Sequence, residues 1–262
     1  MNGAMRFKVI GTLATTGVLA MTGSAAMACV PGPGGSSGYT CTGGLVPSGT
    51  YSNLKVTGQC GVADGATITV RGNVWVASNA TFDAQSAPAT ITVGGDVTAG
   101  SGSLLGLGCQ PAELVGNSAH PCETNPTGHS TISVKGNVTA FKASVVLLNG
   151  VTVRGNVAVL GGGSPVIPWS IKNNNVGRNI TVAGQNTEWI GVMFNKVGRN
   201  VLLYDIALSD PDPGAPGVFI VKNTIQRNLI CYRLTPGVSG GFAPGSVNVV
   251  GGSALGQCAS LV

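Results

Sequence analysis

A short motif that recurs seven times along the chain constrains the fold more than any other feature of the sequence. Each copy has apolar residues on both sides of a turn that contains Gly, Arg or Lys and ends in Asn or Asp. Successive Asn or Asp positions are separated by 23, 41, 19, 23, 21 and 28 residues. A period of about 20 residues with short strands is typical of a β-solenoid. The copies occupy 69–74, 92–97, 133–138, 152–157, 175–180, 196–201 and 224–229.

The residues around each turn alternate between apolar and polar, as in Ile68, Val70, Val74 and Val76. This period of two predicts strands that bury one face. Gly permits the positive φ of a tight turn, and Asn is among the next most tolerant residues. In coils stacked about 4.8 Å apart, the repeated Asn side chains would hydrogen-bond along a column. We therefore expect a structural role for these Asn and Asp residues, and no catalytic one.

Composition supports this interpretation and excludes several others. Charged residues make up only 9% of the chain, and Gly accounts for 42 of 262 residues. The low charge argues against a disordered tail, the absence of helix-forming runs against a helical bundle, and the aperiodic Gly against collagen. Coil lengths that vary favour an all-β, right-handed parallel β-helix over a left-handed one with nearly constant coils.

The first residues have the pattern of a secretory signal peptide, predicted over 1–28. Arg6 and Lys8 precede a mostly apolar stretch, and Ala26 and Ala28 form a small-x-small cleavage site. No later stretch is long and apolar enough for a membrane span. We therefore expect a secreted protein, either extracellular or associated with the cell envelope. Cys29 would be the first mature residue, where a lipid anchor and a free or irregularly paired thiol are both open.

The other six cysteines fall into couples that are close in sequence: Cys41 with Cys60, Cys109 with Cys122, and Cys231 with Cys258. Export places them in a compartment that permits disulfides, although other connectivities are open. We expect the first and last couples to tie loops that cap the ends of the stack, which argues against end-to-end assembly. The predicted organisation is an N-terminal cap region at 29–66, coils over 67–230 with an insertion at 104–130, and a C-terminal cap region at 231–262.

The signal peptide, the Gly-Asn-Val and Gly-Arg-Asn repeats, the closing Gly256-Gln257-Cys258 and the Asp-Pro-Asp-Pro loop resemble a family of secreted actinobacterial Gly/Asn-rich β-helix repeat proteins. This resemblance covers most of the mature chain and implies the fold and export, but no defined activity. The repeat also resembles, more loosely, the bactofilins, which are polymer-forming β-helical proteins. Bactofilins are cytosolic and lack both signal peptides and cysteines, so the chain departs from them on these counts.

Basic residues occupy two neighbouring turn positions and are the first candidate site. Stacked coils would line them up as a ridge for a polyanion, such as an acidic polysaccharide or teichoic acid, whose carboxylates or phosphates match the Arg fork. Exposed corner charges that merely keep the surface soluble are the alternative. The net charge of +5 is mild and includes the signal region, so no nucleic-acid partner is predicted. The first position holds Arg71, Lys135 and Arg154, and the second holds Arg178, Arg199 and Arg227.

Trp189, Phe194 and Tyr204 are a second candidate, because aromatic rings on a β-helix can stack on sugars; packing of a core or loop is the alternative. Trp169 lies one coil earlier, and Trp75 is expected to point outward between two inward valines.

Three further patterns are weighed and set aside. Cys109, Cys122, His120 and His129 match no zinc spacing, so a disulfide is preferred and no metal or cofactor is predicted. The Asp205, Asp210 and Asp212 group is interpreted as a surface loop because prolines alternate with the last two. The Gly-x-Ser-x-Gly match at Ser239 is not followed by a His, as a serine hydrolase would need, and the similar match at 34–38 is expected by chance in so Gly-rich a chain.

The sequence as a whole predicts a non-catalytic structural or adhesive protein, with a cell-wall or other acidic polysaccharide as the expected partner. The alternative is a polysaccharide lyase or hydrolase of the parallel β-helix type. A cluster of carboxylates on one face would distinguish the enzyme, and none is evident in the sequence.

Overall fold

The computed structural model describes residues 37–241 and 247–262, in which the chain winds into a parallel β-helix with three faces. Each repeat motif supplies one strand to the third face and the next strand to the first face. Paired strands run parallel because the chain climbs one coil per circuit and passes its predecessor in the same direction. The predicted all-β parallel β-helix is confirmed, whereas its right-handed sense stays a prediction.

The strands of each face follow one another up the stack, with β1 and β3 also extending onto face 2. Face 1 contains β1 (Tyr39–Val46), β3 (Leu54–Val62), β5 (Val74–Val76), β8 (Val97–Ala99), β11 (Val138–Phe141), β14 (Val157–Gly162), β17 (Ile180–Thr187), β20 (Val201–Leu208), β23 (Leu229–Thr235) and β26 (Ala254–Gly256). Face 2 contains β6 (Thr81–Ala84), β9 (Leu104–Leu107), β12 (Val145–Asn149), β15 (Trp169–Lys172), β18 (Ile190–Met193), β21 (Val218–Val221) and β24 (Val238–Ser239). Face 3 contains β2 (Gly49–Tyr51), β4 (Ala66–Val70), β7 (Ala89–Val93), β10 (Thr131–Val134), β13 (Val151–Val153), β16 (Asn175–Val176), β19 (Lys196–Val197), β22 (Thr224–Ile225) and β25 (Val249–Val250).

The core is a column of small aliphatic side chains that point inward from all three faces. In β5, Val74 and Val76 are buried while Trp75 between them is 45% exposed, as the alternation predicts. Val, Ile, Leu and Ala dominate because the narrow interior of each coil leaves little room for larger residues. Trp169 is an exception; it is fully buried, and its Nε1 donates to Thr187 Oγ1 at 2.8 Å.

From β4 onward, the corner between face 3 and face 1 has the same three-residue turn in every coil, for example 71–73, 154–156 and 198–200, whereas the first corner has the two residues 52–53. The expectation that its glycines take positive φ is wrong, because Gly72, Gly94 and Gly95 are not among the residues with that conformation. A Cβ on Gly95 would instead overlap the Oδ1 of Asn73 in the preceding coil. Glycine is needed here because successive coils approach closely, and not because of its backbone freedom.

The 41-residue spacing in the repeat is one coil plus an insertion. β9 pairs with β6 and β12 as an ordinary coil strand, so the departure from the coil begins at Gly108 rather than at 104. The inserted segment runs to 130 and contains α1 (Ala112–Val115), the 3₁₀ turn η1 (Gly116–Ser118) and the Cys109–Cys122 disulfide. It packs on the face 2–face 3 corner, where Lys172 Nζ donates to the Ala119 carbonyl at 2.9 Å.

Disulfides lie near both ends of the described stack, as predicted. Cys41–Cys60 joins β1 to β3, within the range predicted as the N-terminal cap, and these strands already pair as coils. Cys231–Cys258 joins β23 to the terminal 3₁₀ turn η2 (Gln257–Ser260). Next to it, the Gln257 amide accepts from Leu234 N at 2.7 Å and donates to Leu234 O at 2.8 Å. This side chain thus pairs with the end of β23 as the backbone of a further strand would.

The predicted signal peptide over 1–28 and Cys29 lie outside the described residues. Within 37–241 and 247–262, no helix has the length and hydropathy needed to cross a bilayer. The three disulfides fit an oxidising compartment.

Candidate functional site: a basic ridge beside face 1

The six predicted cations lie on the face 3–face 1 corner, and all six are exposed. The three-residue turns stack directly, as shown by the bonds from Arg199 N to Arg178 O at 2.9 Å and from Arg227 N to Arg199 O at 3.0 Å. We call this set the basic ridge: Arg71, Lys135, Arg154, Arg178, Arg199 and Arg227.

Five of these cations occupy five consecutive turns, from Lys135 to Arg227. Although Lys135 and Arg154 are at the first turn position and the others at the second, each coil contributes one cation to the same corner. With coils about 4.8 Å apart, the run spans about 19 Å along the stack. Arg71 lies apart from it, because the intervening turn is Gly94-Gly95-Asp96 and contains no cation.

The carboxylates of the same coils lie elsewhere. Asp205, Asp210 and Glu188 lie at the face 1–face 2 corner, on the far side of face 1 from the ridge. Asp205 forms a two-point ion pair with Arg233, with Nη2–Oδ2 at 2.7 Å. Among the described residues, no carboxylate forms an ion pair with the ridge cations from Lys135 to Arg227. Positive charge is therefore concentrated along one edge.

A column of amides holds the ridge turns in register. The backbone N–H of the turn's third residue donates to the side-chain Oδ1 one coil earlier, and from Asn137 onward the Nδ2 of that residue donates to the same oxygen. Asn156, for example, donates its N–H (2.9 Å) and its Nδ2 (3.0 Å) to the Oδ1 of Asn137. The predicted Asn column is confirmed, and its ends are Asn53 and the backbone N–H of Ser253. We call it the outer ladder: Asn53, Asn73, Asp96, Asn137, Asn156, Asn179, Asn200 and Asn228.

Sequence reasoning missed a second amide column, at the face 2–face 3 corner. Asn195 is fully buried; its Nδ2 donates to Ile171 O at 2.8 Å and to Asn223 Oδ1 at 3.0 Å. Each amide therefore donates toward the following coil, opposite to the outer ladder. An Asn placed five residues before the outer-ladder position was the available signal. We call this the buried ladder: Asn174, Asn195, Asn223 and Asn248.

The predicted aromatic group is not one surface. Trp189 and Phe194 pack with Phe219 and Ala215 into a small second cluster on face 2, with the Trp189 and Phe219 ring centroids 5.0 Å apart. Tyr204 instead lies on the outer side of face 1. The lengths of the loops between β17 and β21 determine which face each of these aromatic residues lies on. The sequence alone does not show where those loops begin and end.

Outward side chains of face 1 form two columns that adjoin the basic ridge. The first runs from Thr139 to Leu255 and becomes apolar at Leu202 and Ile230. In coils after the insertion, the second column is Phe141, Leu160, Ala183, Tyr204 and Tyr232.

A partly buried titratable pair lies where the insertion meets β15. Burial lowers the pKa of His120 to about 4, with the Lys172 cation adding to the effect and Asp83 opposing it. Burial also lowers the pKa of Lys172 to about 8. The described residues contain no group of three or more metal-ligating side chains, and Cys109 and Cys122 are joined in a disulfide.

The Asp-Pro loop is a surface loop, as predicted. Asp212 Oδ1 accepts from Gly214 N at 3.0 Å, which is a local turn contact, and Asp205 is occupied by Arg233. The carboxylates of Asp205 and Asp212 therefore each have a structural partner close by.

No protein-family model matches the chain, and neither a curated protein nor a solved structure is detectably similar to it. The class that the geometry defines is a disulfide-tied parallel β-helix. The likeness to secreted actinobacterial repeat proteins stays a prediction.

Proposed function

We propose that the protein is an exported, non-catalytic β-helix with a structural or adhesive role, and that its basic ridge contacts an anionic polymer of the cell surface. The observation that carries this proposal is one exposed cation on each of five consecutive turns, from Lys135 to Arg227.

Regular spacing supports a polymer rather than a small anion. The stacking repeats the cations at the coil spacing of about 4.8 Å, so a chain with an anionic group on every unit can meet several of them at once. Four of the five are arginines, whose planar fork binds carboxylate or phosphate at two points. Like charges this close repel, and a polyanion relieves that repulsion.

The ridge is also rigid enough to act as a template. Its turns are fixed by backbone bonds between coils and by the outer ladder, so little backbone entropy is lost on binding. Only the side chains need to be ordered by the ligand.

Retention of the purified full-length protein on an immobilised acidic polysaccharide, at low and high salt, tests the proposal. We expect salt-sensitive retention that falls at least about tenfold when Arg178, Arg199 and Arg227 are changed together to Gln. The matched control changes three exposed lysines outside the ridge, Lys55, Lys196 and Lys222, to Gln.

Equal loss in the two triple variants would reduce the effect to net charge and overturn the ridge as a site. Absence of retention at low salt would overturn the proposal altogether. Cleavage of the polymer in the same assay would replace it with the lyase or hydrolase alternative.

A further inference from the structure

Exposed aromatic side chains of the described residues share one surface. Trp75 is 45% exposed, Phe141 55% and Tyr232 49%, and all three point outward from face 1. Tyr204 pairs with Tyr232 in the neighbouring coil and is partly exposed on the same side. We call the part of this surface that lies after the insertion, with its outward aliphatic neighbours, the aromatic face: Phe141, Leu160, Leu202, Tyr204, Ile230 and Tyr232.

A shallow depression runs across the aromatic face along the stack. It is lined by side chains of four successive coils, including Phe141, Leu160 and Tyr204, and is bordered by Lys142 and Asp205. The strip is therefore apolar along its centre and polar at its far edge. Tyr204 and Tyr232 stand on adjacent coils, about 4.8 Å apart along the stack.

The basic ridge borders the other edge at a constant offset. Arg199 precedes Leu202 by three residues and Tyr204 by five, and Arg227 precedes Ile230 and Tyr232 by the same intervals. Along an extended strand, five residues reach at most about 17 Å, and the long Arg side chain shortens the gap. One polymer lying along the stack can thus touch both edges.

We propose that this polymer is an acidic polysaccharide of pyranose rings, with ring faces packed on Tyr204 and Tyr232 and its anionic groups directed to Arg199 and Arg227. The inference rests on the proposed function and specifies its ligand. A pyranose ring has an apolar C–H face and a polar rim, which suits an aromatic side chain with a hydroxyl tip. A polyphosphate or an acidic polypeptide has charge without such a face.

The test compares binding of the full-length protein to polygalacturonate and to poly-glutamate, which carries carboxylates but no rings. We expect Y204A/Y232A to weaken polygalacturonate binding at least about tenfold and to leave poly-glutamate binding within about twofold. The matched control, L114A/V249A, removes exposed apolar side chains from the insertion and from face 3. Both tyrosines point outward, and the melting temperature of each variant checks that it folds.

The outcomes separate this inference from the proposed function. The inference is overturned, and the ridge stays in place, if the wild-type protein binds poly-glutamate and polygalacturonate equally well while only the ridge variant loses binding and the tyrosine variant binds normally. Neither polymer bound would overturn both. If the wild-type protein binds phosphatidylglycerol vesicles and Y204A/Y232A does not, the aromatic face is assigned to a membrane instead. If the wild-type protein sediments as a dimer and Y204A/Y232A as a monomer, the aromatic face is assigned to a second copy of the chain.

Discussion

Two corners of the β-helix differ in how constant their length is and in how deeply their amide columns are buried. The face 3–face 1 corner keeps a three-residue turn in every coil from β4 onward, and its amides are partly open to solvent. The face 2–face 3 corner varies from the single residue Gly150 to the inserted segment at 108–130, yet its Asn195 and Asn223 are fully buried. The face 3–face 1 corner, which has the constant turn length, therefore sets the stacking register and presents the charged side chains. The face 2–face 3 corner, which has the buried amides, stabilises the interior.

Removing one amide from the buried ladder is the strongest way to test this contrast. Asn195→Ala removes the Oδ1 that accepts from the Asn174 N–H at 3.0 Å and the Nδ2 that donates to Ile171 O. Both backbone groups lose this hydrogen bond, and the substitution also opens a cavity. Buried unsatisfied groups of this kind cost about 1–3 kcal/mol each, so we expect a loss of about 3–5 kcal/mol. Urea unfolding with the disulfides intact measures it. A loss below that of Asn200→Ala would contradict the contrast.

Lowering the pH is the next test, because the partly buried imidazole of His120 lies where the insertion packs on the face 2–face 3 corner. The folded protein binds a proton on His120 only near pH 4, whereas the unfolded chain binds it near 6.5. The unfolded state binds more protons in that window, so stability falls as pH drops through it. At about 1.4 kcal/mol per pKa unit, the loss reaches up to about 3 kcal/mol.

Melting temperatures between pH 4 and 7 measure the effect, and H120Q provides the control because it removes this titration. A wild-type profile that matches the H120Q profile would show that His120 is not held in its neutral form by burial.

Removing one amide from the outer ladder should have the smallest effect. Asn200→Ala takes Oδ1 away from Asn228, whose N–H and Nδ2 both donate to it at 3.1 Å. Because this corner is partly open, water replaces the lost bonds, and we expect about 1–2 kcal/mol. Urea unfolding beside Asn195→Ala makes the comparison direct. A loss of 4 kcal/mol or more would mean that solvent does not reach this corner.

The sequence was sufficient for the parallel β-helix and the outer ladder, because each leaves a periodic signal. It favoured the three disulfides by proximity in sequence, but it left other connectivities open. It was insufficient for the buried ladder, since earlier coils fill that position with core residues such as Ile91 and Ile132. The repeated Gly was predicted for the wrong reason, because a close approach between coils depends on three dimensions. Trp189 and Tyr204 were grouped wrongly because the loop at 209–217 folds over face 2 and covers only the former.

Gln257 has a consequence for how such a chain can lengthen. Its amide occupies the hydrogen-bonding groups of Leu234 that a further strand would use. Gene duplication can therefore add coils within the stack, where turns of equal length keep the outer ladder in step. A longer pairing between β26 and β23 would first have to displace this one side chain, which thus limits how far the last described strand of face 1 extends.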